Sequence, residues 1–320
     1  MNTPHKLDIG FLNTPIKKYS YKGKDFYIKH DEMTGNLLTG NKVRKLDYLL
    51  YNAKQNNVEM VLTCGGVQSN HARATVVAAS MLGIKSKLYL FGEEPEVIDG
   101  NLFIDKIFNA EINYVTEEEY NNIDKILESK KCDLKKAGFN ALIIPEGGSS
   151  TLGIWGYVNF VSEIKEFVIK NNITGIITAA GSGGTTAGIL LGCAINDLPL
   201  KVYSVNVLYN KEIINEKVIK LTEECRNEFN IEKEIDFNNF EILDGFSEEG
   251  YSNITAEKID VINDFAKQSG ILFDPAYTGK AFYAFVKNFV EKNSDENILF
   301  LHSGGLFGIF SKRDDYLKLK

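Results

Sequence analysis

The chain runs to 320 residues, 44% hydrophobic and 25% charged, a globular balance with enough apolar material for one large or two ordinary domains. Its 36 basic residues face 43 acidic ones, and the formal charge of −7 argues against nucleic acid and against an anionic membrane surface as partners. Cys64, Cys132, Cys193 and Cys225 lie far apart and form no CxxC pair, which implies free thiols in a reducing compartment and neither zinc nor disulfide. The start "MNTPHKLDIGFLNTP" lacks a basic head followed by an apolar run, and no apolar stretch approaches the roughly 18 residues of a spanning helix. The expectation is a soluble, cytoplasmic protein.

Along the chain, short apolar runs alternate with helical patterns. "TGNKVRKLDYLL" (39–50) places Lys42, Arg44 and Lys45 where a helix begins, which reads equally as a surface helix start or as the approach to a reactive lysine. "MVLTC" (60–64) predicts a strand, followed by a helix in "SNHARATVVAASMLG" capped by Ser69. "SKLYLF" (86–91) and "INYV" (112–115) are further strands on either side of "NLFIDKIFNA", and 117–136 is charged and helical in rhythm. Then come "ALIIP" (141–145), a helix near 153–171, "TGIITAA" (174–180), "LKVYSVNV" (200–207) and "NILFLH" (297–302). The Asn- and Glu-rich stretch 222–241 reads as a solvated helix and loop. No repeat or low-complexity segment interrupts the alternation, which predicts an α/β protein with mainly parallel sheets.

Four glycine-rich turns follow apolar strands: "CGGVQSN" (64–70), "PEGGSS" (145–150), "AAGSGGTTAG" (179–188) and "HSGG" (302–305). Ligands of open α/β sheets collect at such strand ends. In "AAGSGGTTAG", glycines allow backbone N–H groups to approach an anion, the following helix adds its positive end, and Ser182, Thr185 and Thr186 add hydroxyls. The turn suits a phosphate monoester, though it is neither GxGxxG nor a P-loop. Ser69 lacks the G-x-S-x-G of a nucleophile elbow, and His5, His30, His71 and His302 show no H-x-x-x-H spacing, so no metal site is expected. A phosphate cup, polar strand ends and a candidate lysine together point to pyridoxal 5′-phosphate, which needs an amine, a phosphate site and ring partners.

"TGNKVRKLDYLL", "CGGVQSNHARATVVAASMLG", "PEGGSSTLGIWGY", "AAGSGGTTAGILLG", "ILFDPAYTGKAF" and "ILFLHSGG" resemble, in that order, segments of the D-cysteine desulfhydrase and 1-aminocyclopropane-1-carboxylate deaminase family. This family sits in the tryptophan-synthase-β-like group of pyridoxal-phosphate enzymes, and the likeness extends from about residue 14 to 305. The resemblance implies fold type II: two open, twisted, mainly parallel sheets flanked by helices. It implies a larger cofactor-binding domain of 1–48 and 155–320, a smaller inserted domain of 49–154 and a cofactor in the cleft between them. It further implies a homodimer acting on a small amino-acid substrate.

The same resemblance assigns site residues. Lys42 matches the lysine that bonds the cofactor's aldehyde, and Asn70 the asparagine on its phenolic oxygen. Ser69 matches a serine that contacts the substrate carboxylate and assists proton transfer; Gly181, Ser182, Gly183, Gly184 and Thr185 match the phosphate cup. Tyr277 and Tyr251 match tyrosines near the substrate, whereas Arg44 and Lys45 are expected to face water or a carboxylate. Thr278 stands where the ring-opening deaminase carries Glu, and Ser303 where it carries Leu and the desulfhydrase Thr. An uncharged hydroxyl at the pyridine nitrogen does not enforce ring protonation, and both positions therefore favour β-elimination. Departures include Thr39-Gly40 before Asn-Lys, His30 in place of an arginine, and the absence of Gly-Val-Pro-Asn after Tyr251. The expected reaction is D-cysteine to pyruvate, sulfide and ammonia. The alternatives are ring opening of 1-aminocyclopropane-1-carboxylate and a catalytically silent cofactor-binding protein.

Overall fold

In the computed structural model, which describes residues 2–318, the chain opens with a hairpin absent from the sequence expectations. β1 (Ile16–Tyr21) and β2 (Lys24–His30) pair antiparallel around Lys22 and Gly23, both at positive φ (48° and 83°), the geometry whose twist suits a two-residue connection. Lysines obscure its alternation, and β1 is an edge strand, where such charges discourage pairing with another chain.

The chain continues through α1 (Lys42–Gln55), β3 (Met60–Gly66), α2 (Asn70–Met81), β4 (Lys85–Phe91), α3 (Gly100–Ile107) and β5 (Glu111–Val115). The expected single helix over 117–136 is two: α4 (Glu117–Asn121) and α5 (Ile123–Lys136). Thr116 and Glu119 close a capping box on α4, and Asn122, a poor helix former, breaks the run. β6 (Ala141–Ile143), α6 (Trp155–Lys170), β7 (Gly175–Ala180), α7 (Gly184–Asn196), β8 (Lys201–Asn206) and α8 (Lys211–Glu228) follow. The stretch read as helix and loop ends in a short edge strand, β9 (Phe240–Leu243), whose four residues are too few to register as a pattern. α9 (Ala256–Ser269), α10 (Thr278–Phe285), β10 (Ile298–His302), α11 (Leu306–Phe310) and α12 (Arg313–Lys318) complete the chain.

Two sheets result, ordered β1-β2-β10-β7-β8-β9 and β5-β4-β3-β6, parallel throughout except for β1 against β2. Helices cover both faces of the larger sheet. Phe265, Phe273, Phe282 and Phe285 of the α9–α10 side pack on Phe26 and Phe300, while Trp155, Phe160, Leu190 and Val218 fill the other face. The smaller sheet is buried beneath α1 and α2 on one side and α5 on the other. The parallel order brings the carboxyl ends of β3, β6, β7 and β10, with their glycine turns, to one cleft.

α1 is the wall common to both halves, packing on α2 and on α6. Its apolar residues Val43, Leu46, Leu50 and Ala53 recur at helical spacing and are fully buried. Close approach to α6 requires Gly156, because a Cβ there would collide with the Arg44 carbonyl. On this face Arg44 forks onto Asp31 (2.8 Å to each oxygen) and reaches Glu163 at 2.7 Å, while Lys29 also pairs with Glu163. Tyr157 and Thr14 donate to the same Asp31 carboxylate at 2.6 and 3.0 Å. Burial alone would raise Asp31, but Arg44 and Lys29 outweigh it and hold the carboxyl below its usual range. Arg44 therefore meets carboxylates, as expected, but inside the protein. Removing Asp31 leaves Arg44 buried with its bidentate partner gone, so Asp31→Ala is expected to lower the unfolding free energy by about 3–5 kcal/mol in urea titration.

Candidate active site

The cleft holds a cavity of about 410 Å³, within the usual range for small-molecule sites. Of the expected site residues, Lys42, Ser69, Asn70, Gly181 to Thr185, Tyr251, Tyr277 and Ser303 all line it.

Lys42 is the first residue of α1. Its amine donates to Asn41 Oδ1 at 3.1 Å and lies 5.9 Å from the centre of the Tyr277 ring. Burial lowers its pKa to about 8, with Arg73 adding repulsion and Glu146 and Asp274 opposing. The amine is thus poised near neutrality as a nucleophile or base. Asn41 turns its own amide the other way, donating to Thr185 Oγ1 at 3.0 Å and tying the start of α1 to the start of α7.

Ser69 caps α2, its hydroxyl accepting from Ala72 N at 3.2 Å. Asn70 is held by Asn101, whose amide donates to Asn70 Oδ1 at 3.0 Å. Asn101 in turn accepts from Arg73 Nε at 3.0 Å, and Arg73 donates to Thr39 O at 2.9 Å, three residues before Lys42. One buried arginine therefore sets the approach to both the lysine and the asparagine.

The loop from Gly181 to Thr185 ends β7 and opens α7. Gly183 adopts the left-handed conformation (φ 84°), which an L side chain resists. A Cβ at Gly183 would point at Val218 of α8, so its glycine serves the turn and not, as expected of the cup, the open approach to an anion. Gly184 is required by close packing instead, because a Cβ there would strike Ser149 Oγ and the Lys45 amine.

Lys45 corrects the expectation that it faces water or a carboxylate. It is 1% exposed, and its amine donates to Gly147 O at 3.1 Å and Ser149 Oγ at 3.2 Å; Ser149 and Ser182 share a hydrogen bond of 2.8 Å. Burial and the Lys42 charge push its pKa well down. Three-residue spacing from Lys42 on a helix was the signal that could have found it, since both then share one face.

Tyr251 and Tyr277 face each other with hydroxyls 2.6 Å apart, and burial raises both above the ordinary phenol. Tyr251 is carried on an irregular segment that buried Lys280 secures, donating to Gly250 O at 2.6 Å and Tyr251 O at 3.1 Å. Thr278 departs from its expected place. It does not line the cavity; its hydroxyl donates to Asp274 Oδ1 at 2.5 Å and accepts from Asp274 N at 3.0 Å, fixing the start of α10. Ser303 does line it, its carbonyl accepting from Asn41 N at 3.0 Å. Glu146, not singled out from the sequence, also lines it, between the hydroxyls of Tyr120 (2.7 Å) and Tyr209 (3.0 Å).

The donor set fits pyridoxal 5′-phosphate: a backbone-and-hydroxyl cup at a helix N-terminus with the Lys45 amine behind it, and a second amine with no carboxylate within bonding distance. A family profile described as pyridoxal-phosphate dependent enzyme matches residues 7–304. The chain belongs to the pyridoxal-phosphate-dependent enzymes. A Thermotoga maritima protein provisionally named 1-aminocyclopropane-1-carboxylate deaminase is 37% identical over 311 residues, 96% of this chain and 98% of its own. The mitochondrial bifunctional D-cysteine desulfhydrase/1-aminocyclopropane-1-carboxylate deaminase of Arabidopsis thaliana is 32% identical over 333 residues, covering 98% of this chain and 82% of that one. A crystal structure described as that of an ACC deaminase homologue superposes with a TM-score of 0.91 at 35% identity, over 99% of this chain and 97% of its own. The protein is thus a pyridoxal-phosphate enzyme of the deaminase and desulfhydrase group.

Only the neutral amine can bond the cofactor's aldehyde. With Lys42 at about 8, the rate at which apoprotein regains its yellow colour on addition of pyridoxal phosphate is expected to rise with pH up to that point and then level off. A rate that keeps rising to about pH 10.4, as for an ordinary solvated lysine, would contradict the burial argument.

Proposed function

We propose that this enzyme catalyses β-elimination on a small amino acid, D-cysteine being converted to pyruvate, sulfide and ammonia. The observation that carries the reading is the pairing of a base with an acid across the cavity. The Lys42 amine is lowered toward neutrality, and the Tyr251–Tyr277 pair is kept protonated. Bound in the cavity, pyridoxal phosphate supplies an electron sink that acidifies the substrate's Cα–H. Lys42 then takes the α-proton, and the phenol pair supplies a proton to the departing sulfur. Ser69 and Asn70, at the N-terminus of α2, are suited to the substrate carboxylate and to the cofactor's phenolic oxygen respectively. The cup from Gly181 to Thr185 takes the phosphate, with Lys45 as its counter-charge.

Selection between the two activities named among the relatives rests on Ser303. Because Thr278 is taken up by Asp274, Ser303 is the uncharged hydroxyl left to meet the pyridine nitrogen. It does not hold a proton there as a carboxylate would, which favours rapid expulsion of a β-substituent. Ring opening of 1-aminocyclopropane-1-carboxylate remains the second reading, favoured by the names of the relatives.

The division into 1–48 with 155–320 and 49–154 is supported by the strands: those of the smaller sheet all fall between 60 and 143, and those of the larger sheet outside it. Homodimerisation is supported by an apolar face on α3 and α11, where Phe103, Ile107 and Phe310 are each about half exposed. No helix among the described residues is long and apolar enough to cross a membrane.

Purified enzyme is expected to release sulfide and pyruvate together from D-cysteine, and Tyr277→Phe to lower kcat by about 10²-fold or more, the usual loss of a positioned acid. Efficient ring opening with no sulfide from either cysteine enantiomer would contradict this reading and support the second.

A further inference from the structure

The elimination proposed above leaves the cavity-lining Glu146 without a task. Glu146 follows β6, half-buried, and its two oxygens accept from phenols on opposite walls, Tyr120 of α4 at 2.7 Å and Tyr209 beyond β8 at 3.0 Å. Burial first, and then the Glu146 charge itself, push both phenols upward, so they stay protonated and hold the carboxylate in place as an acceptor. A carboxylate has about four lone-pair sites, and two phenols leave room for a further donor.

What the carboxylate lacks is a counter-charge. Asp31 meets Arg44, Glu163 meets Arg44 and Lys29, and Glu249 meets Lys258, whereas buried Asp274 is held by backbone N–H groups and the Thr278 hydroxyl. Glu146 has no Lys, Arg or His nitrogen within 4.0 Å among the described residues. Of the basic side chains that line the cavity, Lys45 is turned to Gly147 and Ser149 and His71 to Thr63, while Lys42, which Glu146 favours as a cation from beyond bonding distance, is the amine assigned to the cofactor. A second carboxylate, Glu117, lines the same cavity from α4. Part-buried charge without a partner is costly, and a cationic ligand would relieve it.

We propose that Glu146 selects the substrate side chain, so that the cavity prefers a small α-amino acid whose β- or γ-substituent is positively charged over a neutral one. The inference rests on the reading of this cavity as a site of β-elimination on a small amino acid, and it extends that reading from the thiol of D-cysteine to a cationic substituent. A β-leaving group that is also cationic is an ammonium, as in 2,3-diaminopropionate. There the Cβ–N bond breaks with its electron pair leaving on nitrogen as ammonia, and the α-proton goes to the Lys42 amine. Water added to the three-carbon enamine so formed gives pyruvate and a second ammonia. The leaving nitrogen already carries its proton, so the phenol pair has none to supply.

The test is calorimetric titration of the cofactor-loaded enzyme with racemic 2,4-diaminobutyrate and racemic homoserine. These ligands differ only in an ammonium against a hydroxyl on the γ-carbon, and neither carries a β-leaving group. Wild type is expected to bind the diamine about tenfold or more tightly than homoserine, the scale of a charge-assisted over a neutral hydrogen bond, and Glu146→Gln to erase the difference. Equal affinities in wild type, or a preference that survives in Glu146→Gln, would overturn the proposal and leave Glu146 as a clasp between the two walls. The wild-type comparison stands even if the variant does not fold. Binding is read without sulfide release, so an enzyme inert toward D-cysteine that still shows the Glu146-dependent preference would sink the desulfhydrase reading alone.

Discussion

Two lysine amines withdrawn from water, three residues apart at the start of one helix, set the terms for everything around them. Lys42 and Lys45 share a face of α1; burial makes it harder for either to carry charge, and the Lys42 charge adds to the effect on Lys45. The positive end of the helix works in the same direction. A surface would never ask for this arrangement, because water would simply solvate both. Inside the cleft, the cost of two ammonium groups keeps one amine available for bonding and leaves the other in need of an anion. The loop that ends β7 supplies the place for that anion, beside Ser149, Ser182 and the first turn of α7. On the proposed reading, pyridoxal phosphate would meet both needs with one molecule, an aldehyde for the first amine and a phosphate for the second.

The rest of the fold holds this geometry. α1 cannot slide, because Gly156 lets α6 press against its first turn and Arg44, between the two lysines in sequence, is locked to Asp31 and Glu163 on the opposite face. Arg73 joins the strand-end turn carrying Ser69 and Asn70 to the segment entering α1. Tyr251 and Tyr277 reach the cavity from irregular segments, and buried polar groups secure each: Lys280 for the first, Asp274 for the second through the N–H of Tyr277 at 2.9 Å. Charged groups that read as surface in the sequence are internal fixings.

The alternating strands and helices were legible because a parallel sheet buried on both faces leaves continuous apolar runs such as "GIITAA" and "ILFLH". Strand ends with glycine were legible for the same reason, since each turn interrupts such a run. β1, β2 and β9 were not: β1 and β2 are rich in charge, which hides their alternation, and β9 is only four residues long. Within the site, residues on the glycine turns were found, and so was Lys42. Lys45, Arg73 and Glu146 were missed because a buried charge is spelled like an exposed one. Only its partners distinguish it, and those lie far away in the chain: Glu146 meets Tyr120 and Tyr209, and Lys45 meets Gly147 and Ser149. Thr278 illustrates the converse. Its position in a motif pointed to the cofactor, while its hydroxyl is bound to the Asp274 carboxylate four residues earlier.

The chemistry of the cleft turns on which of the two amines bonds the cofactor. Borohydride reduction of the yellow enzyme, followed by proteolysis and mass mapping of the pyridoxyl-bearing peptide, reads this directly. Lys42 faces the tyrosine pair while the Lys45 amine is spent on Gly147 and Ser149, so the label is predicted on Lys42. Label on Lys45, with Lys42 unmodified, would contradict the account.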